Sequence, residues 1–356
     1  MSSTMGKNIK ISIFGESHGP AIGVVIDGLP SGESIDIDKL KSFLGRRSPG
    51  RDLYSTPRRE ADEPIFLSGL LNNITTGAPL CAIIKNTNTR PQDYMRDIPR
   101  PGHADYTGYI KHNGYNDASG GGHFSGRLTA PMCIAGGICL QILERKGITI
   151  GAHINSIGDI KDTPIDSVAI CKEELLNIIS KPFSVIDDTK GEEMKALILE
   201  AKKEKDSVGG VIECCILGVP IGIGEPMFEG IESRISQAVF GIPAVKGIEF
   251  GSGFQGSQWR GSKNNDAYII KDGKVTLETN NSGGILGGIS TGMPIIFRAA
   301  IKPTPSIGKE QKSISISKNS PEALAIHGRH DPCIVPRAVP CMESVAALVI
   351  LDMLLS

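Results

Sequence analysis

Arg100-Pro101-Gly102-His103-Ala104-Asp105-Tyr106 sets a guanidinium, an imidazole and a carboxylate on a backbone that proline and glycine make unsuitable for helix. Such a segment presents charge rather than packs. Ionisable side chains among Gly and Pro recur at Gly15-Glu16-Ser17-His18-Gly19, Arg46-Arg47-Ser48-Pro49-Gly50-Arg51, Gly120-Gly121-Gly122-His123-Phe124-Ser125-Gly126-Arg127 and Gly328-Arg329-His330-Asp331-Pro332. Their separation along the chain points to one site assembled from distant loops.

A guanidinium fork binds carboxylate or phosphate bidentately, whereas lysine is a strongly hydrated point charge. The segregation of Arg46, Arg47, Arg51, Arg58, Arg59, Arg100, Arg127, Arg329 and Arg337 into or beside these tracts therefore points to a small, highly anionic ligand. Three or four charge-assisted bonds, each about 1.5–3 kcal/mol, would supply micromolar-class binding. The plainer alternative pairs the same arginines with Glu16, Asp52, Glu60 and Asp105 in structural networks. His18 and His103, each beside a loop glycine, suit a general acid, a role that contributes about 10²–10⁴-fold. A lone loop histidine is more often structural, but that reading weakens among arginines. His112, His153 and His327 lack such company and receive no role. No His or Cys spacing suggests a metal site. The run Gly283 to Gly292 allows close backbone approach to a flat or phosphorylated cofactor, although it matches no nucleotide fingerprint. Lys302-Pro303-Thr304-Pro305-Ser306 adds a cation and hydroxyls suited to phosphate, or is an ordinary exit loop.

The elements that must carry these loops read as short strands alternating with a few long helices, an α+β pattern. Leu128 to Leu143 and Val345 to Leu355 are apolar, fall short of the roughly 20 residues of a membrane span, and read as core helices. Three pairs of segments echo one another in order. Val25 to Gly32 resembles Ile216 to Gly222, Ile74 to Pro79 resembles Ile289 to Pro294, and Arg127 to Met132 resembles Arg337 to Met342. Chance similarity of Gly- and Pro-rich turns explains one pair more easily than three. The expected organisation is a single domain over 1–356, with pseudo-repeat halves of about 1–150 and 207–356 facing each other across a cleft. A lysine-rich helical connector over about 160–206 joins them, with Met194, Leu197, Ile198 and Ala201 at helical spacing.

A formal net charge of -1 excludes bulk attraction to nucleic acid or anionic membrane. Aromatic content of 5% disfavours an RNA-binding protein that stacks bases. The eight cysteines form no C-x-x-C pair and read as reduced, buried thiols. Ile9 to Phe14 alternates like a strand and lacks a signal-peptide core, so a cytoplasmic location is expected.

Phe14 to Gly19, Arg100 to Tyr106, Asn281 to Ser290 and Gly328 to Cys333, with Ala244 to Glu249 and Lys302 to Thr304, closely resemble the signatures of the chorismate synthase family. The ordered set covers nearly the whole chain. The resemblance implies a carbon–oxygen lyase: 5-enolpyruvylshikimate 3-phosphate loses phosphate and a ring hydrogen in a 1,4-anti elimination, giving chorismate at the last step of the shikimate pathway. Reduced FMN is implied, without net redox change. So are a β-α-β sandwich with long helices between antiparallel sheets and a homotetramer. The alternative enzyme reading is another flavin- or phosphate-dependent lyase on the same scaffold. By motif position, Arg47, Arg100, Arg127, Arg329 and Arg337 would hold the two carboxylates and the phosphate of the substrate. His18 would protonate departing phosphate, His103 would stabilise the reduced flavin, and Asp331 would assist proton uptake. Flavin contacts map to His123, Phe124, Ser125, Ala244, Gly288, Lys302, Pro303, Thr304, Pro305, Ser306 and Arg329. Two departures stand out. Where many members have Arg-Ser-Ser-Ala-Arg, this chain has His123 to Arg127, and Leu53 replaces an arginine linked to NADP binding. The chain therefore resembles the monofunctional form, which takes reduced flavin from a separate reductase.

Overall fold

The computed structural model describes residues 3–50, 54, 55, 60, 62–87, 95–326 and 331–356. Strands β1 (Thr4–Met5), β2 (Lys10–Gly15) and β3 (Ala21–Asp27) lead into helix α1 (Ile37–Arg47). Asp36 caps α1 by accepting from Lys39 N at 2.9 Å. After β4 (Ile65–Ser68), the small hairpin β5 (Leu70–Leu71) and β6 (Ile74–Thr75), and β7 (Leu80–Lys85), the first sheet is complete, in the antiparallel order β1-β2-β3-β7-β4. Helix α2 (Asp105–Lys111) and 3-10 turns at Ser119–Phe124 and Gly126–Leu128 precede helix α3 (Thr129–Arg145). The segment Arg100 to Tyr106 is thus not wholly non-helical. Gly102 has a positive φ of 73°, whereas Asp105 and Tyr106 already belong to the first turn of α2.

Strands β8 (Thr149–Ile157) and β9 (Ile160–Lys161) are followed by helices α4 (Lys172–Ser180) and α5 (Asp188–Lys203) and by β10 (Gly210–Leu217). Then come α6 (Ile231–Val239), β11 (Val245–Phe250), the short helices α7 (Gly253–Gly256) and α8 (Gly261–Asn264), and hairpins β12 (Tyr268–Lys271) with β13 (Lys274–Leu277) and β14 (Ile285–Leu286) with β15 (Ile289–Ser290). Strand β16 (Ile295–Ile301) completes a second antiparallel sheet, ordered β11-β16-β10-β8-β9. A hairpin, β17 (Gln311–Ser315) and β18 (Ser320–Leu324), precedes the last helix, α9 (Val335–Leu354).

Helix α3 packs on β3 and β7 of the first sheet, α9 on β8 and β10 of the second, and the two helices on each other. Gly136 permits that crossing, because a Cβ there would lie 2.3 Å from Ser344 Cα. Segment Gly126–Arg145 is long and apolar enough to cross a membrane, yet 89% of its apolar window is buried inside the fold. Its apolarity is explained by packing. Strand β8 is covered on both faces. A Cβ at Gly151 would meet Leu175 and Ile179 of α4, and Met194 and Ile198 of α5 are fully buried. The lysine-rich stretch 160–206 therefore contributes core.

Each sheet is closed by the same kind of turn. Thr75 Oγ1 donates to Pro30 O and accepts from Glu33 N, while Gly32 N donates to Thr75 O. Ser290 Oγ donates to Pro220 O and accepts from Ile223 N, while Gly222 N donates to Ser290 O.

Candidate active site

A cleft of about 530 Å³ gathers the loops at one place. His18 follows β2, Arg47 ends α1, Arg100 and His103 precede α2, and His123 to Arg127 precede α3. Ala244 precedes β11, Lys302 to Ser306 follow β16, and Asp331 and Arg337 lie at the start of α9; of these, Pro303 alone does not line the cleft. Gly288 stays apart, in the β14–β15 hairpin, where its carbonyl accepts from Ile231 N at 2.9 Å. Arg329, Arg51, Leu53, Arg58, Arg59, Asp52, His327 and His330 lie outside the described residues.

The triple glycine is a wedge between two histidines. Gly120 has φ 62° and Gly121 φ 86°, the region that favours glycine. A Cβ at Gly120 would lie 2.1 Å from His18 Cε1, and one at Gly121 would lie 2.6 Å from His103 Cε1. Ser17 Oγ donates to Ser119 O at 3.1 Å, so its 3.0 Å contact with His18 Nδ1 must be one it accepts. Exchange of the His18 proton is thereby assigned to Nε2. His103 Nδ1 lies 2.6 Å from Asp105 Oδ1, so this imidazole likewise keeps its proton on Nδ1. Burial alone would raise the Asp105 carboxyl, but hydrogen bonds from Arg100 and His103 and their charges hold it well below its usual range.

Arg100 donates to Asp105 through Nε and an Nη, and to Ser306 Oγ at 3.1 Å. Arg47 Nε and Nη2 donate to Asp62 Oδ2 at 3.0 and 2.6 Å, and Arg127 Nη1 donates to Asp62 Oδ1 at 2.5 Å and contacts Glu60 at 3.0 Å. The two guanidiniums behave differently. Burial works against both, but the Asp62 charge keeps Arg47 above its ordinary value. For Arg127, burial and then repulsion from Arg47 outweigh the attraction of Asp62 and Glu60, so it is depressed. Asp62 itself, raised by burial but lowered more by Arg47 and Arg127, falls to about 2. Arg337 pairs with Asp331 and donates to Arg47 O. Arg46 turns away to Glu343, at 2.6 and 2.9 Å, and serves packing rather than ligand binding.

The Lys302 to Ser306 wall suits a phosphorylated cofactor. Thr304 Oγ1 is buried without a hydrogen-bond partner among the described residues, and such an orphan calls for a polar ligand atom. Burial and then Lys246 depress the Lys302 ammonium, which an approaching anion would relieve. His123 lines the cleft, but Ser3 Oγ and Gly15 O engage its two ring nitrogens at 2.6 and 2.8 Å.

Of the structural pairs expected for the arginines, Glu60 meets Arg127 and Asp105 meets Arg100, while Glu16 shares a hydrogen bond with Asp117 and is raised by burial and that neighbour. Asp62, the hub of the cleft, has no motif of its own. Its one sequence signal is proximity, since buried arginines demand carboxylates and Glu60-Ala61-Asp62-Glu63 supplies them between Arg47 and Arg100. Ser17 and Thr129, which accepts from Arg47 Nη1 at 3.1 Å, are seen only in three dimensions.

Residues 9–355 match the family model described as chorismate synthase. A chorismate synthase of Lancefieldella parvula is 50% identical over all of this chain and 97% of its own length, and one of Thermococcus kodakarensis is 46% identical over 98% of this chain and 97% of its own. A crystal structure of chorismate synthase aligns with a TM-score of 0.78 at 29% identity, covering 99% of this chain and 93% of that one.

Proposed function

The chain belongs to the chorismate synthase family, and from that premise we propose how its residues divide the work of the carbon–oxygen lyase reaction that yields chorismate from 5-enolpyruvylshikimate 3-phosphate. The observation that carries the assignment is the glycine wedge pressed between His18 and His103 inside an arginine-lined cleft.

The substrate brings two carboxylates and a phosphate. Arg127, whose charge is disfavoured by burial and by neighbouring Arg47 although it meets Asp62 and Glu60, gains most from an incoming anion. Arg47, Arg100 and Arg337 complete the anion cradle, each held in place by a carboxylate, and Arg329 is assigned to the same cradle by motif. His18, its ring fixed through Ser17 and Ser119, delivers a proton from Nε2 to the departing phosphate and so limits the charge that develops on it. The carboxylate of Asp105 fixes the tautomer of His103 and orients its ring. Asp331, steadied by Arg337, assists uptake of the ring proton.

Family membership implies a flavin, and we assign reduced FMN to the wall of Phe124, Ser125, Ala244 and Lys302 to Ser306. When bound, it supplies an electron-rich ring beside the allylic C–O bond and ends with no net redox change. Thr304 Oγ1 and Lys302 Nζ suit its phosphate. His123, with both nitrogens engaged, contributes its ring rather than a hydrogen bond, and Gly288 acts through its hairpin.

The matching turns at Thr75 and Ser290, and the shared strand orders β2-β3-β7-β4 and β8-β10-β16-β11, support an internal repeat. With β8 (Thr149–Ile157) as the counterpart of β2, the second half would begin at β8 rather than at about 207, with 160–206 inserted in it. The two halves would enclose α3 and α9 as a β-α-β sandwich in one domain. A homotetramer in the cytoplasm, supplied with reduced flavin by a separate reductase, completes the reading.

The test is anaerobic incubation with reduced FMN and the enolpyruvyl substrate, following chorismate absorbance and phosphate release. Turnover is expected, reduced by about a hundredfold or more in His18→Ala and His103→Ala with folding intact. A well-folded wild-type protein without turnover would sink the reading, and near-native rates in either variant would remove that histidine from the mechanism.

A further inference from the structure

Arg100 lines both the active-site cleft and a second cavity of about 280 Å³, which is also lined by Asp105, Ile98, Tyr109, Ile316 and Leu324. With open volume beside Arg100 on two sides, the loop that carries Arg100 and His103 is held by tethers as much as by packing. The described residues provide one. Just ahead of Arg100, Asp97 O accepts from Ile316 N at 2.9 Å, Asp97 Oδ1 accepts from Ser317 N at 2.7 Å, and Asp97 Oδ2 accepts from Ser315 Oγ at 2.5 Å. Pro99 O accepts from Ser313 Oγ at 2.5 Å. Ser315 is buried and also accepts from Lys318 N at 3.2 Å, so its hydroxyl is aimed at Asp97 from both ends. These contacts join the segment carrying Arg100 and His103 to the β17–β18 hairpin, whose second strand ends at Leu324 on the way to Asp331.

We propose that Asp97 is a positioning residue that clips the β17–β18 hairpin to the His103 loop and so fixes the spacing of that loop against the rest of the cleft. It touches neither substrate nor cofactor and acts through His103, whose loop it anchors. The proposal rests on the functional reading above. The physical warrant is that a misplacement of about 1 Å at a reacting group costs on the order of 10²-fold in rate, even when it originates away from the chemistry.

The test is a double-mutant cycle in the full chain under anaerobic turnover, with wild type, Asp97→Ala, His103→Ala and the double variant measured together. Asp97→Ala is expected to lower kcat on the order of tenfold to a hundredfold with KM nearly unchanged, and Asp97→Asn, which keeps an acceptor, to recover part of the loss. In the His103→Ala background the same substitution should cost less than about twofold, because coupled residues fail to add. An equal cost in both backgrounds, or no cost in either, overturns the proposal. Should Asp97→Ala fail to fold, Ser315→Ala removes one bond of the clip and takes its place in the cycle. An inactive wild type would instead overturn the parent reading, and this proposal with it.

Discussion

Two buried ionic knots, one in the second sheet and one in the cleft, use the same residue types for different ends. In the sheet, His153 lies 3.1 Å from Asp162 and 2.9 Å from Glu213. Those carboxylates also accept backbone N–H groups from Ile186, Asp187 and Ile165, and Arg298 bridges Glu213 to Glu249. In the cleft, Asp62 is held by the side chains of Arg47, Arg127 and Ser48, and the arginines line open volume. Carboxylates saturated by backbone donors make a closed knot that serves the fold. Carboxylates that only steady arginines at a cavity wall make an open one, in which an incoming anion can share the cations.

The largest effect that would test this division is on the closed knot. Glu213→Leu leaves a buried imidazole without one of its two carboxylates, and should lower unfolding stability by about 3–5 kcal/mol in chemical denaturation. Turnover per folded molecule should stay near wild type. A variant of undiminished stability whose turnover collapsed would place Glu213 in the chemistry and erase the distinction.

Within the open knot the two arginines should separate. Arg127→Met is expected to raise KM about tenfold to a hundredfold, the equivalent of one lost charge-assisted interaction of about 1.5–3 kcal/mol. It should cost less stability than Arg47→Met, because Arg127 is crowded by Arg47 while Arg47 is well paired with Asp62. The reverse ranking would mean that Arg127 is held for the fold and Arg47 for the ligand.

The open knot was half legible in the sequence and the closed one scarcely at all. Arginines among Gly and Pro announce themselves, because such backbone is a poor choice for packing, and the two Arg-bearing apolar runs do become α3 and α9. The family resemblance, too, rested on loop motifs and is matched along the chain. By contrast, His153 sits in an ordinary strand pattern, and its partners Asp162 and Glu213 are 9 and 60 positions away, brought to it by the turn from β8 into β9 and by the pairing of β8 with β10. Asp62 was hidden for the same reason. A carboxylate's role depends on which cations the fold brings to it, and no local pattern encodes that.

The smallest effect is a pH dependence that the two knots should divide between them. Burial alone would lower His153, but hydrogen bonds to Asp162 and Glu213 and their charges raise it above the ordinary 6.5. A raised histidine contributes stability that is complete below 6.5 and is lost as pH climbs through its folded value. Asp62 behaves oppositely. Lowered from 3.8 to about 2, it contributes fully above 3.8 and loses that contribution as pH falls through about 2. Thermal midpoints should therefore be highest between those limits, with the sheet knot alone shaping the alkaline side and both knots contributing to the acid side, since Asp162 and Glu213 are also lowered. His153→Gln should flatten the alkaline limb and also lessen the acid one, because Asp162 and Glu213, which burial alone would raise, are lowered chiefly by their hydrogen bonds to His153. Asp62→Asn should lessen the acid limb alone, each effect being a few degrees, since 1 kcal/mol moves the midpoint of a larger domain by about 2–4 °C. If Asp62→Asn flattened the alkaline limb as well, the knots would be coupled through α3 and α9, and the fold's ion pairs could not be assigned separately to scaffold and site.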